Sequence, residues 1–140
     1  MDPSTPATAQ AHARPALVVL GPASGSLAER LRSTLEYEVF TSGGPRDAAL
    51  AVLCGATAAG VEQVHRAFPA AAVMAILAVG ADEADMVAIY AAGADLVTGR
   101  ETVELLVAHA RALLRRRAWS AAREDSATAF PSVDPTETSG

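Results

Sequence analysis

Short runs of apolar residues alternate along the chain with segments in which apolar positions recur at helical spacing. Strands of a parallel sheet are buried on both faces, so they read as continuous apolar runs. The pattern therefore predicts an α/β fold, in which helices cover a doubly wound parallel sheet. The five predicted strands are ALVVL (16–20), EVFT (38–41), AALAVLC (48–54), AVMAILAV (72–79) and DLVT (95–98).

Four helices are predicted between and after these strands. The first begins at Ser26, because Ser26 and Glu29 have the spacing of a capping box. The second ends before Pro69, and the third runs from Asp82 to Gly93. The last carries an apolar stripe whose members recur every three or four residues: Val103, Leu106, Val107, Ala110, Leu113 and Leu114.

The connection between the second and third strands is too short for a helix. It comprises about eight residues, 41–48, whereas a parallel crossover normally needs a dozen or more. Fully extended, about eight residues span roughly 26 Å, which is enough to step over a neighbouring strand. We therefore expect a loop, or one helical turn at most, in place of the usual crossover helix.

The composition indicates one domain with a core of small side chains. The chain has 140 residues, of which 51% are hydrophobic and only 4% aromatic. Residues 1–14 and 118–140 are rich in Ser, Thr, Pro and Ala, and they are predicted to be a disordered tail and a disordered linker or tail. The folded domain is expected to span residues 15–117.

Charge and cysteine content exclude several classes of protein. A formal net charge of -5 argues against direct binding to nucleic acid, because phosphate contacts need clustered Lys or Arg. The single cysteine excludes an intrachain disulfide, and no apolar run is long enough for a membrane span. Neither metal-site spacing nor a catalytic triad is visible. A cytoplasmic protein that is not an enzyme and needs no cofactor is predicted.

Three segments carry a resemblance to a known family: GVEQVHRAF (60–68), DEADMVAIYAAGAD (82–95) and ELLVAHARALLRRR (104–117). Together they resemble the receiver domain of bacterial response regulators, and the last segment resembles the OmpR/PhoB type. The resemblance covers nearly the whole folded region. It implies a five-stranded sheet with the strand order 2-1-3-4-5.

The residues that carry phosphorylation in this family are replaced here. Receivers bind Mg²⁺ through an acidic pair after the first strand and phosphorylate an Asp at the end of the third. The resemblance places Leu20 and Gly21 near the acidic pair and Cys54 at the phosphoacceptor. Ala78 takes the place of a Thr or Ser, and Arg100 takes the place of a Lys. It therefore implies a receiver that has lost its phosphorylation site.

The resemblance also implies a regulatory function. The chain looks like the receiver part of a transcription regulator whose winged-helix DNA-binding domain lies outside these 140 residues. Atypical receivers of this kind, some of them in antibiotic regulators, dimerise or respond to small molecules. We predict that Leu20, Gly21, Cys54 and Ala78 leave an apolar pocket for a hydrophobic metabolite such as a pathway product. Arg100 would bind a carboxylate there.

A homodimer is predicted on the last two helices and the fifth strand. Family dimers use salt bridges across this surface, but Leu96 and His109 replace charged residues here, so apolar contacts must contribute more. The residues of this predicted dimer surface are Tyr90, Asp95, Leu96, Glu104, His109 and Arg111.

Two other functions stay open at this point. The Gly-rich loop from Gly21 to Ser26 precedes a helix, so a phosphate- or nucleotide-binding module is one alternative. This loop matches neither common phosphate-binding motif and has no lysine, which favours a plain turn. A thiol redox sensor at Cys54 is the other alternative, although a thiol ending an apolar strand is usually an inert hydrophobic residue.

Overall fold

A single parallel sheet forms the centre of the protein. The computed structural model describes residues 15–22, 24–35 and 37–129, and only the backbone of 121–129. Its strands are β1 (Ala16–Leu20), β2 (Glu38–Phe40), β3 (Leu50–Ala56), β4 (Ala72–Leu77) and β5 (Leu96–Thr98). They pair in parallel in the order β2-β1-β3-β4-β5, which confirms the predicted fold class and strand order.

Helices cover both faces of this sheet, as expected for a doubly wound fold. They are α1 (Gly25–Thr34), α2 (Ala58–Ala67), α3 (Glu83–Ala91) and α4 (Val103–Ala129). α1 and α4 pack on one face, and α2 and α3 pack on the other. Within the described ranges, no helix is long and apolar enough to cross a membrane.

The core has one layer on each face of the sheet. Successive strand residues point to opposite faces, so Leu17 and Val19 contact the layer of α1 and α4, whereas Val18 contacts the other layer. All three side chains are fully buried. The layer under α2 and α3 is built largely from small residues, in agreement with the composition: Ala16, Ala48, Ala51, Ala56, Ala71, Ala75 and Ala94.

The loop between β2 and β3 replaces the usual crossover helix, as the short connection predicted. No helix is present between Phe40 and Leu50, all of whose connecting residues the structure describes. The loop nevertheless covers the sheet, because a Cβ added at Gly44 would lie 3.0 Å from Cγ2 of Val18. With a φ of +109°, Gly44 adopts a backbone conformation that L side chains rarely adopt. Backbone packing therefore buries Val18 where a helix would normally do so.

Two helix boundaries differ from the predicted ones. α1 begins at Gly25 rather than Ser26, because the Ala28 N–H donates to the carbonyl oxygen of Ser24, which is the N-cap. The predicted capping box at Ser26 is therefore wrong. α4 continues past the predicted domain boundary at Arg117 as far as Ala129. Residues 118–129 contain neither Gly nor Pro, so nothing in the local sequence stops the helix. The other predicted tail residues, 1–14 and 130–140, lie outside the described residues.

Candidate functional site

A cavity of about 350 Å³ opens at the carboxyl ends of β3 and β4, between the first turns of α1 and α4. We call it the strand-end cavity. Open α/β sheets bind their ligands at this edge, because loops and helix starts converge there. Most of its lining is apolar: Pro22, Leu27, Cys54, Ile76, Leu77, Ala78, Val79, Val103 and Leu106. The strand-end cavity thus has the position and the apolar character of a small-molecule site.

Three polar side chains also line the strand-end cavity: Ser26, Arg100 and Glu101. Ser26 lies in the first turn of α1, where backbone N–H groups have no partner within the helix. Glu101 is paired with His109 of α4 at 3.0 Å between Oε1 and Nε2. Arg100 is exposed, and none of the hydrogen bonds and ion pairs found among the described residues involves it. Its guanidinium is therefore available to an anionic ligand.

Cys54 lies on the β3 side of the strand-end cavity and is only 9% exposed. Burial raises the pKa of the Cys54 thiol, because a thiolate loses hydration there. The thiol is therefore protonated at neutral pH and is a weak nucleophile.

Gly21 makes an unusually close approach to β3. A Cβ on Gly21 would overlap the carbonyl oxygen of Cys54, and the φ of Gly21 is +101°. No side chain fits at this position without movement of the strand ends. Gly21 itself does not line the strand-end cavity.

The structure brings together only part of the predicted pocket. Of the residues assigned to the pocket from the sequence, Cys54, Ala78 and Arg100 line the strand-end cavity. Leu20 instead packs in the layer of α2 and α3, on the opposite face of the sheet from Cys54. Including Leu20 in the pocket was wrong, because Leu20 is paired with Leu53 rather than with Cys54 in the sheet register.

Several residues of the cavity were not predicted from the sequence. Ile76 is the register partner of Cys54 on β4, and its side chain belongs to the same layer. The alternation of the two strands could have identified Ile76, because it follows directly from the predicted pairing. Leu106 is in the predicted apolar stripe of α4, whereas nothing in the local sequence marks Pro22 or Glu101.

The residues of the predicted dimer surface lie in two different places in the structure. The Tyr90 hydroxyl accepts a hydrogen bond from the Val97 N–H of β5 at 3.2 Å, and the Asp95 carboxylate accepts one from the Val73 N–H at 2.8 Å. Both therefore lie beside the edge of the sheet. Leu96 is partly buried against the layer of α1 and α4.

The remaining residues of that surface lie on α4. His109 is paired with Glu101 of its own chain, as described above. Glu104 forms an ion pair with Arg30 of α1 at 3.0 Å, so it faces α1 and not β5. Arg111 lies two helical turns after Glu104 and shares its side of α4. Glu104 and Arg111 therefore lie on the α1 side of α4, away from Tyr90.

Comparison with known proteins identifies the fold. No protein-family model matches the sequence, and no curated protein sequence is similar to it. Solved structures with this fold include a signal receiver domain from Vibrio parahaemolyticus, with a TM-score of 0.64 and 15% identity over 79% of this chain and 98% of that one. Another is a CheY-like receiver domain from Methanospirillum hungatei JF-1, with a TM-score of 0.61 and 14% identity over 77% and 99%.

A third similar structure is the signal receiver domain of an HD domain-containing protein from Pseudomonas fluorescens Pf-5. It has a TM-score of 0.61 and 12% identity, over 84% of this chain and 98% of that one. The protein therefore has the CheY-like receiver fold of response regulators. Sequence identities this low establish the fold and leave the activity to be argued from the site.

Proposed function

We propose that this chain is a receiver-type regulatory domain that works without phosphorylation and responds to a small organic molecule. The observation that supports this most is the strand-end cavity, which is apolar where a phosphorylated receiver needs carboxylates. The cavity's volume of about 350 Å³ is within the range of small-molecule sites.

Three positions argue against phosphoryl transfer. Gly21 has no room for an acidic side chain, Cys54 offers a protonated thiol instead of a carboxylate, and Ala78 has no hydroxyl group. Mg²⁺ requires hard oxygen ligands, usually carboxylates. Among the described residues, no three His, Cys, Asp or Glu side chains lie close enough together to hold a metal ion. These features support a phosphorylation-independent domain.

The lining of the strand-end cavity favours a ligand with an apolar body and one anionic group. Cys54, Ile76 and Leu106 would contact the apolar body. The Arg100 guanidinium can bind a carboxylate with two hydrogen bonds, and the first turn of α1 adds unpaired N–H groups near Ser26. An amphipathic carboxylic acid, such as an end product of a biosynthetic pathway, fits this arrangement.

The output of the domain is proposed from the family resemblance. We infer that ligand binding acts on transcription through a winged-helix domain and that the regulator is a cytoplasmic homodimer. α4 supports this route, because its first turns line the strand-end cavity through Val103 and Leu106. A bound molecule would therefore contact the helix that leads out of the domain.

The two alternative functions find less support. A redox sensor needs an accessible thiolate, whereas Cys54 is buried and its pKa is raised. A phosphate-binding module would use the loop before α1, but Gly21 is packed against Cys54 and the chain contains no lysine.

The proposal is tested by measuring the binding of carboxylic acids with thermal shift and calorimetry. A panel of aliphatic and aromatic carboxylic acids should contain members that raise Tm, because a ligand at 100 times its Kd adds about 2.7 kcal/mol of stability. Ala78→Leu should abolish binding by filling the strand-end cavity. Arg100→Ala should weaken binding of the acid. Arg111→Ala is the control, because it removes the same charge from the side of α4 that faces α1 and should leave binding unchanged. If no acid raises Tm, or if Ala78→Leu binds as well as the wild type, the proposed ligand site is wrong.

A further inference from the structure

Two residues of opposite charge, adjacent in the chain, border the strand-end cavity. Arg100 and Glu101 are in the connection between β5 and α4, and both line the cavity. Among the described residues, no hydrogen bond or ion pair joins their side chains. The two charges therefore stay apart, although pairing between them would cancel the positive charge that an anionic ligand needs.

A contact with His109 accounts for this separation. The His109 Nε2 lies 3.0 Å from Oε1 of Glu101, and the two side chains are 30% and 32% exposed. His109 is six residues after Val103, so it lies about 9 Å further along α4. The Glu101 carboxylate is therefore held along the helix, beside His109, rather than beside the Arg100 guanidinium.

This contact does not require a charged imidazole. A carboxylate oxygen only accepts hydrogen bonds, so the His109 Nε2 carries the proton that is donated to Glu101. The neutral Nε2–H tautomer and the imidazolium can both donate from this atom. What holds the Glu101 carboxylate is thus an N–H donor at the right reach from α4.

A released Glu101 carboxylate would weaken the binding of an anion in either of two positions. If it pairs with Arg100, it occupies the guanidinium that the carboxylate of a ligand would bind. If it stays unpaired at the cavity, it repels that carboxylate directly. Both positions have an effect of the same sign, so loss of the contact with His109 lowers the affinity for anions.

We propose that His109 is a positioning residue of the strand-end cavity, which keeps Arg100 available to an anion by holding Glu101 away from it. His109 acts through Glu101, because it does not line the cavity itself. This role rests on the proposed anionic ligand of the cavity and adds the residue that sets the charge selectivity of the same site.

Alkylation of Cys54 measures this charge selectivity without any ligand. Cys54 lines the strand-end cavity and is the only cysteine of the chain. Iodoacetate and iodoacetamide both react with the thiolate by displacement of iodide, but only iodoacetate is an anion. At alkaline pH, where part of the thiol is ionised, the ratio of the iodoacetate rate to the iodoacetamide rate reports the charge at the cavity. The pKa of the thiol cancels in this ratio, because both reagents need the thiolate.

The expected changes in this ratio separate His109 from its neighbours. His109→Ala should lower the ratio by about 2- to 5-fold, the range of an exposed ion pair. His109→Gln should keep it, because the amide N–H can donate to Glu101. Adding Glu101→Gln to His109→Ala should restore at least the wild-type ratio. Adding Glu104→Gln should not, because it removes the same charge from the side of α4 that faces α1.

A purely structural role for His109 predicts a different result. Loosening of the fold would raise both alkylation rates together and leave their ratio unchanged. An unchanged ratio in His109→Ala, or a lowered ratio that Glu101→Gln does not restore, would therefore overturn the proposal. The proposed function is tested separately by the binding of carboxylic acids. If the ratio changes as expected while no acid binds, the ligand is wrong and the positioning of Glu101 by His109 stands.

Discussion

Gly21→Ala should destabilise the domain strongly, because two separate effects act at this position. The φ of Gly21 is +101°, a conformation that an L residue adopts at a cost of about 1–3 kcal/mol. The new methyl group would also overlap the Cys54 carbonyl, so β1 and β3 would have to move apart at their carboxyl ends. We expect the two effects together to lower the free energy of unfolding by about 3 kcal/mol or more, which is a large part of the total stability of a domain.

Two other glycines separate these effects. Gly43 has a φ of +68° but nothing within 4 Å of its added Cβ, so Gly43→Ala should show only the conformational cost of about 1–2 kcal/mol. Gly25, in the first turn of α1, has open space around it and no positive φ, and Gly25→Ala should stabilise by about 0.4–1 kcal/mol.

Urea unfolding followed by circular dichroism measures all three variants under the same conditions. The expected order of stability is Gly25→Ala, wild type, Gly43→Ala and then Gly21→Ala. If Gly21→Ala is no less stable than Gly43→Ala, the close contact between Gly21 and Cys54 does not exist. An acidic side chain would then also fit at Gly21.

Three further predictions concern phosphorylation, the burial of Val18 and the N-cap of α3. Acetyl phosphate with Mg²⁺ should add no phosphoryl mass to the protein, while a receiver that retains its Asp, treated in parallel, is modified; a phosphorylated wild type would contradict the site. Val18→Ala should cost about 2 kcal/mol in urea unfolding, because the β2–β3 loop keeps Val18 fully buried; a loss near zero would mean that the loop does not cover it. The pKa of Asp82, the N-cap of α3, is lowered by hydrogen bonds from backbone N–H groups, first that of Asp85. The charged Asp82 carboxylate therefore stabilises the folded protein above the unfolded pKa of about 3.9, and this stabilisation is lost as the pH falls through the lower folded pKa. The stability difference between wild type and Asp82→Ala should therefore shrink in acid, whereas the difference between Asp82→Asn and Asp82→Ala should not.

The parts of the fold that depend on local pattern and chain length were predictable. Continuous apolar runs identified the strands, and the short connection of residues 41–48 excluded a helix there. Both inferences need only the reach of the chain and the burial of a parallel sheet. The start of α1 was not predictable in this way, because several Ser and Gly residues before it can act as the cap.

The candidate site was harder to predict, because it depends on side-chain direction and on contacts between distant residues. Leu20 ends β1 and Cys54 lies near the end of β3, but their side chains point to opposite faces of the sheet. A shift of one residue in register decides which face a side chain occupies. The approach of Gly21 to Cys54 joins residues far apart in sequence and leaves no local pattern. The length of α4 was missed because Ser, Thr and Ala in residues 118–129 suggested a tail although they permit a helix.

The length of α4 has a mechanical consequence. Its 27 residues span about 40 Å, and its buried side chains, among those the structure describes, lie between Leu106 and Leu114. The end near Val103 borders the strand-end cavity, whereas Ala129 is about 22 Å beyond Leu114, the last buried residue among those of α4 whose side chains the structure describes. A tilt of about 5° at Leu114 therefore displaces Ala129 by about 2 Å, several times more than it moves the side chains in the core. A small movement at the start of α4 is thus amplified at its far end.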